Sequence, residues 1–429
     1  MADFLQTLIN AVTLGSLYAL IALGYTMVYG VLKLINFAHS DVVVLGAWLS
    51  VTLGVFLLPF LGITEQPPPW WAGGVVLVLS MLICGAVGFL IERLAYKPIR
   101  KAPRLNALIT AIGVSLFLQN TGQLQFTIIP AERVVARGDV IERGDDPRTV
   151  RLASPIRIES GRTYVVRIFD KGAPAGTAGT SRRLTAAPGE YEAGADLPIE
   201  SPIGRAQTRN ARFELVREAT HPPLRLPFGA MPAAMPALFV DRPVVEHKFV
   251  SHTPYGPLEK PVRLTRLDLI IIGTAAALMV ALQLLVYRTR IGTAMRAVSF
   301  NMETAALMGV PVNRVVSFTF VTGTMLAAAA GFLYALRYQQ VQQPAHATWV
   351  LLGLKAFVAA VVGGIGNIRG ATVGGYLIAF IEQFGVYAGQ QAGWDNASAY
   401  TDVFVFLLLI LVLLVKPTGI FGSTVREKV

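Results

Sequence analysis

Apolar residues along this chain gather into long runs with short polar interruptions, and one long polar stretch divides the runs into two groups. Runs near 8–30, 42–61, 72–93, 106–128, 267–287, 315–336, 350–366, 370–388 and 402–415 approach or exceed the length a helix needs to cross roughly 30 Å of hydrocarbon. The last three are short or broken by glycine, so the pattern predicts about 8–10 transmembrane helices. The expected fold is an all-α polytopic membrane protein.

Residues 131–264 break this rhythm. About 20 of the 37 Lys and Arg and 16 of the 26 Asp and Glu fall here, which excludes the segment from lipid. It is dense in Pro and Gly, as in Leu197-Pro198-Ile199-Glu200-Ser201-Pro202 and His221-Pro222-Pro223. Alternating runs such as Val150-Arg151-Leu152 and Arg162 to Ile168 predict brief β-strands between turns. The expectation is a β-rich extracytoplasmic insertion, partly disordered around 172–190; a flexible loop with no fold is the other reading. Three divisions follow: 1–130, an N-terminal transmembrane half; 131–264, the insertion; and 265–429, a C-terminal transmembrane half containing a loop at 288–314.

Composition agrees with a membrane protein. Apolar residues make up 54% of 429 positions and charged residues 15%, where a soluble domain carries about a quarter charged. The net charge of +11 does not point to nucleic acid, because the basic residues cluster in short loops. Arg93, Lys97, Arg100, Lys101 and Arg104 form one such loop; Arg288, Arg290, Arg296 and Arg314 flank another. Loops of this kind lie on the cytoplasmic side. The two crossings between them place 131–264 outside, the N-terminus outside, and the C-terminal Arg426 and Lys428 inside. Cys84, the single cysteine, sits in an apolar run, so no intrachain disulfide can form. The first run lacks a basic leader and a cleavage site, so it is expected to stay as a span.

Candidate chemistry concentrates at Asn36, His39 and Asp41, a polar turn between two apolar runs. Such groups inside a membrane face water, protein or a transported solute. Capping of a helix break and contact with a solute are both open. Gly366, Gly370 and Gly374 recur every four residues beside Gly363, a spacing that lets helix backbones approach closely; packing and lining of a solute path are both open. Glu92, near the cytoplasmic end of its span and next to Arg93, is read as an interfacial ion pair rather than a proton carrier. Glu382 is an intramembrane charge that pairs with a neighbouring helix or reaches the outer edge. Ala38-His39 and Leu45-Gly46 recur at identical spacing as Ala345-His346 and Leu352-Gly353, which raises an inverted repeat as a candidate.

Several blocks resemble the permease subunits of branched-chain amino-acid ABC importers. They are Leu14 through Asp41 with its Ile35-Asn36-Phe37-Ala38-His39, Glu92 to Asn120, Arg290 to Gly309, Ala356 to Gly375, and the closing Lys416-Pro417-Thr418-Gly419-Ile420-Phe421-Gly422. The resemblance implies an inner-membrane pore subunit that works with a second homologous permease subunit, two cytoplasmic ABC ATPase subunits and a periplasmic solute-binding protein. It implies no cofactor and no catalytic residue of its own. Glu303-Thr304-Ala305-Ala306-Leu307-Met308-Gly309 is similar to the loop through which such permeases dock on their ATPases, with Thr304 in place of an alanine. Glu303, Thr304, Ala305, Ala306 and Gly309 are therefore coupling candidates on a short helix at about 292–308, which Gly309 and Pro311 would end. The chain departs from the family at 131–264, where a short connection is usual, and at Ser40, where glycine is common.

Other classes fare worse. No Lys is followed by Ser or Thr, so the phosphate-binding loop of an ATPase is missing. A secondary transporter needs paired charges in its spans, and only Glu382 stands out. An intramembrane enzyme needs a nucleophile–base pair or a metal motif; neither is visible, and no metal site is expected. Within the importer reading the substrate is a branched-chain amino acid, with urea or short amides as the alternative.

Overall fold

A computed structural model describes all residues except 34–35, 64–67, 101, 125, 130–131, 137–141, 171–179, 205–210, 219–223, 227–231, 254–255, 395 and 423–429. Ile35 of the polar turn, Lys101, His221-Pro222-Pro223, most of the first half of 172–190, and Arg426 and Lys428 therefore lie outside the described residues.

The helices in chain order are α1 (Ala2–Leu32), α2 (His39–Phe60), α3 (Ala72–Ile91), α4 (Lys97–Ile99), α5 (Arg104–Gln123), α6 (Arg266–Arg288), α7 (Arg290–Phe300), α8 (Met302–Leu307), α9 (Val312–Arg337), α10 (Ala347–Gly363), α11 (Ile368–Gln391) and α12 (Thr401–Val415). A π-helical turn, Glu92–Tyr96, joins α3 to α4. Among the described residues, six helical segments are long and apolar enough to cross a membrane: α1, α2, α3 continued through α4, α6, α9, and α12 with its lead-in turn. The chain is thus a mostly helical, multi-pass membrane protein.

The other three apolar runs are helical too, with physical reasons for a weaker signal. α10 has 17 residues, about 26 Å at 1.5 Å per residue, which is short for a full crossing. α5 carries Asn106, Gln119 and Asn120, and α11 carries Glu382, Gln383 and Gln390. The run read at 106–128 stops as a helix at Gln123, and Phe126–Ile129 is extended strand.

α1 is the central element. Leu17, Leu20, Ile21 and Leu23 are fully enclosed by protein, and the helix lies against α6, α9, α10 and α11. Lipid tails are as apolar as leucine, so close packing rather than hydrophobicity holds such helices together. The packing is exchanged between the two groups of helices: α1 runs along α11, whereas α9 runs along α3. In each group one long helix, α1 or α9, is followed by an Ala-His turn and two further helices, α2 and α3 or α10 and α11. His346 caps α10 with its ring Nδ1, which accepts the Thr348 N–H at 3.2 Å.

Residues 1–58, 62–126 and 226–429 form this helical unit; 59–61 and 127–225 form a second compact unit. In the second unit, strands Glu132–Ala136, Ala211–Glu218, Tyr164–Asp170 and Thr180–Arg183 make a four-stranded antiparallel sheet in that order. Three-residue strands at Thr149–Arg151 and Asp196–Pro198 pair beside it. Val150, Leu152, Val166, Ile168, Leu197, Phe213 and Leu215 give it a core. The alternation read at 150–152 and 162–168 corresponds to strands Thr149–Arg151 and Tyr164–Asp170. Within 172–190, where disorder was expected, Thr180–Arg183 and Gly189–Tyr191 are strands. Arg151 binds Asp196 at 3.0 Å, and its guanidinium holds that carboxyl below the usual carboxylate range.

Leu226 to Thr265 belongs with the helices. Its hairpin, Pro243–Thr253 with Gly256–Thr265, meets the start of α1: Lys260 binds Asp3 at 2.6 Å, and the Arg263 N–H donates to Gln6 Oε1. Thr265 and Asp268 then form a capping box that starts α6.

Candidate functional site

The first candidate site is the break between α1 and α2. α1 ends at Lys33 in the left-handed region (φ 55°), and its N–H returns to the Tyr29 carbonyl. Asn36 then closes the turn. Its Oδ1 accepts the Ala38 N–H at 3.1 Å and the Tyr96 hydroxyl at 2.6 Å. The amide side chain therefore satisfies a backbone group that the break exposes. Tyr96 reaches it from the π-helical turn, an irregularity that concentrates at functional positions.

His39, the first residue of α2, is completely buried. Its ring lies 4.5 Å from the Tyr25 ring and covers Gly24, where a Cβ would collide with Cε1 and Nε2. Neither ring nitrogen has a hydrogen-bond partner among the described residues. The ring packs over the α1 backbone at Gly24.

Asp41 is 5% exposed and faces the other way, toward α5. Its Oδ1 accepts from Gln119 Nε2 at 2.9 Å, while Oδ2 is buried and makes no close hydrogen bond among the described residues. Asp41 and Gln119 stand at one end of a cleft between α2, α3 and α5, lined beyond them by Leu45, Trp48, Thr52, Val87 and Leu118.

The glycine candidates lie elsewhere. Gly363 and Gly370 face each other so closely that a Cβ on either would enter the other's carbonyl. Gly374 meets the Ala359 carbonyl in the same manner, and Gly366 takes a positive φ in the turn that Asn367 caps. Their geometry is that of close helix packing and a tight turn.

The second candidate site is the 288–314 loop. It is not the single helix expected at about 292–308. Asn301 leaves helical geometry (φ −151°, ψ 116°) and its side chain accepts the Thr304 N–H at 2.9 Å, so α7 ends and α8 begins there. An asparagine competes for backbone donors in this way, which the helical spacing alone did not reveal. Gly309 adopts φ +83°, with Val310 N–H returning to Ala305 and Gly309 N–H to Ala306, as a glycine-terminated helix requires. Ala305 faces the core, whereas Glu303, Thr304, Ala306 and Gly309 are exposed. Phe300, Leu307 and Met308 are 90%, 89% and 80% exposed, apolar side chains left uncovered by the described residues.

Two buried charges find partners that local sequence did not suggest. Glu92 binds Arg100, eight residues on, instead of its neighbour Arg93, and its other oxygen accepts from Ser317 on α9 at 2.6 Å. Glu382 pairs across helices with Lys355 of α10 at 3.3 Å and accepts the Tyr18 hydroxyl of α1 at 2.9 Å; Lys355 also binds Asp402 at 2.8 Å. Tyr96, Gln119, Lys355 and Asp402 were not singled out from sequence. A lysine inside the 350–366 run was the one available signal.

The family model described as the permease component of branched-chain amino acid transport systems matches residues 7–136 and 235–413 and passes over 137–234. The chain is 30% identical to the high-affinity branched-chain amino acid transport system permease protein BraD of Pseudomonas aeruginosa, over 99% of this chain and 98% of BraD. It is 31% identical to the permease protein LivH of the same kind of system in Escherichia coli K12, again over 99% and 98%. No solved structure matches significantly. The chain belongs to the branched-chain amino acid transport permease family.

Proposed function

We propose that this chain is the pore-forming permease subunit of an ATP-binding-cassette importer for branched-chain amino acids. It is a transport component and carries out no bond chemistry. The relatives favour this substrate class over urea or short amides. The observation that carries the ATP-driven reading is the exposed apolar surface of Phe300, Leu307 and Met308 at the end of α7 and α8. Water-facing side chains of this size call for a partner, and a separate cytoplasmic ATPase is the partner an importer needs there.

The finer organisation follows from that reading. Two ATPase subunits, a second permease subunit and a periplasmic solute-binding protein complete the assembly. The N-terminus and residues 131–264 face the periplasm, and the C-terminus and 288–314 face the cytoplasm, supported by the basic loops. The exchanged packing of α1 with α11 and α9 with α3 supports an inverted repeat. Helices α5, α10 and α11 bring the crossings toward the eight to ten expected. Residues 131–264 serve the docking of the periplasmic binding protein.

Uptake in proteoliposomes tests this. The assembled importer should accumulate leucine only with ATP and the binding protein, and the isolated chain should not accumulate it on a proton or sodium gradient. Gradient-driven uptake by the isolated chain would overturn the reading.

A further inference from the structure

We propose that the cleft between α2, α3 and α5 is an amino-acid subsite, in which Asp41 receives the α-ammonium group and the groove beyond it receives a branched aliphatic side chain. The inference rests on the permease reading and adds the place and polarity of the solute within it.

Three observations carry it. Asp41 is a carboxylate 5% exposed, whose Oδ1 is satisfied by Gln119, whose Oδ2 makes no close hydrogen bond among the described residues, and which the Ser115 hydroxyl neighbours. A buried acceptor without a donor is costly, and a carboxylate oxygen in surroundings of low dielectric binds a cationic donor most strongly. An ammonium group supplies both the charge and the hydrogen.

The cleft has two adjoining compartments of suitable size, with Leu45, Trp48 and Leu118 in both walls. The one at Asp41 measures about 30 Å³, enough for a group the size of one water or one ammonium. The other measures about 220 Å³ and is walled chiefly by Leu49, Ile83, Val87, Leu118 and Trp48, with only Thr52 and Thr121 offering hydroxyls. Such a wall suits a branched hydrocarbon and rejects a polar side chain.

The polarity of the site follows from its lining. Among the described residues no Lys, Arg or His lines either compartment, so the carboxylate end of the solute meets no cationic side chain within them. That end must point out of the cleft, toward the open side where a second permease subunit would complete the site. An aliphatic amine should therefore occupy the cleft of the isolated chain, and an aliphatic acid should not.

The test uses the purified full-length chain in nanodiscs with Cys84→Ala and Thr121→Cys, Thr121 being on the groove wall. The rate of maleimide labelling reports occupancy. Isopentylamine and leucine should slow labelling at least threefold, and 4-methylpentanoate should leave it unchanged. Asp41→Asn should raise the half-protecting amine concentration tenfold or more. Val87→Trp, which fills the groove without touching Asp41, should abolish protection, and together with the amine–acid comparison it decides the matter should Asp41→Asn misfold. Equal protection by amine and acid, unchanged protection in either variant, or no protection by any probe would overturn the proposal. ATP-driven leucine uptake by the assembled importer separates the two readings. Uptake without amine protection discards the subsite alone; amine protection without uptake discards the permease reading and leaves an amine site.

Discussion

Tyr96 donates its hydroxyl to Asn36 Oδ1 at 2.6 Å, so the π-helical turn below α3 and the break between α1 and α2 are held as one unit. Both groups are buried. Tyr96→Phe removes one hydrogen bond and should destabilise the protein by about 1 kcal/mol. Asn36→Leu leaves the Ala38 N–H and the Tyr96 hydroxyl without an acceptor and should cost about 1–3 kcal/mol for each. Thermal unfolding in detergent should rank wild type above Tyr96→Phe above Asn36→Leu; the reverse order of the variants would mean the amide does not cap the break.

The Lys355–Glu382–Asp402 cluster gives a second expectation. Breaking a buried ion pair by removing one partner costs about 3–5 kcal/mol, because it strands a charge. Lys355→Met should lose that much, and adding Glu382→Gln should recover part of it. Independent, additive losses in the double variant would show that the pair does not couple α10 to α11 and α1.

The 288–314 loop should show docking and folding as separable. Leu307 is 89% exposed, so Leu307→Asp should insert and fold as the wild type does. It should nevertheless lower substrate-stimulated ATP hydrolysis of the assembled importer at least tenfold. Gly309→Pro should do the same by a different route, since proline cannot adopt φ +83°. Full stimulation in both variants would remove the loop from the mechanism.

Topology can be read by labelling in the Cys84→Ala background. A cysteine at Ser160 should react with a membrane-impermeant maleimide in intact cells, and one at Ala306 should react only after permeabilisation. The opposite pattern would invert the proposed orientation.

The sequence carried the helical architecture well, because a membrane span is written locally in twenty or so apolar residues. It also carried the positive φ at Gly309, where the end of one helix and the residue type coincide. What it did not carry were pairings between distant positions. Tyr96 lies 60 residues from Asn36, and Lys355 lies 27 from Glu382, so neither partner is visible in any local window. Glu92 is adjacent to Arg93 in sequence, but neighbouring residues on a helix point apart, and its partner is Arg100, eight residues on. The split of 292–308 into two helices was missed because Asn301 acts through its own side chain rather than through periodicity. The free oxygen of Asp41 needed three helices in place before it became apparent.

If this chain moves branched-chain amino acids only as part of an ATP-driven assembly, transport must fail whenever ATP or the binding protein is withheld. The most direct test is radiolabelled leucine accumulation in proteoliposomes holding this chain, its companion permease and ATPase subunits, and the binding protein. Accumulation should require ATP on the side of the ATPase subunits and disappear when the binding protein is omitted. Accumulation without ATP, driven by a proton or sodium gradient across vesicles holding this chain alone, would contradict this dependence.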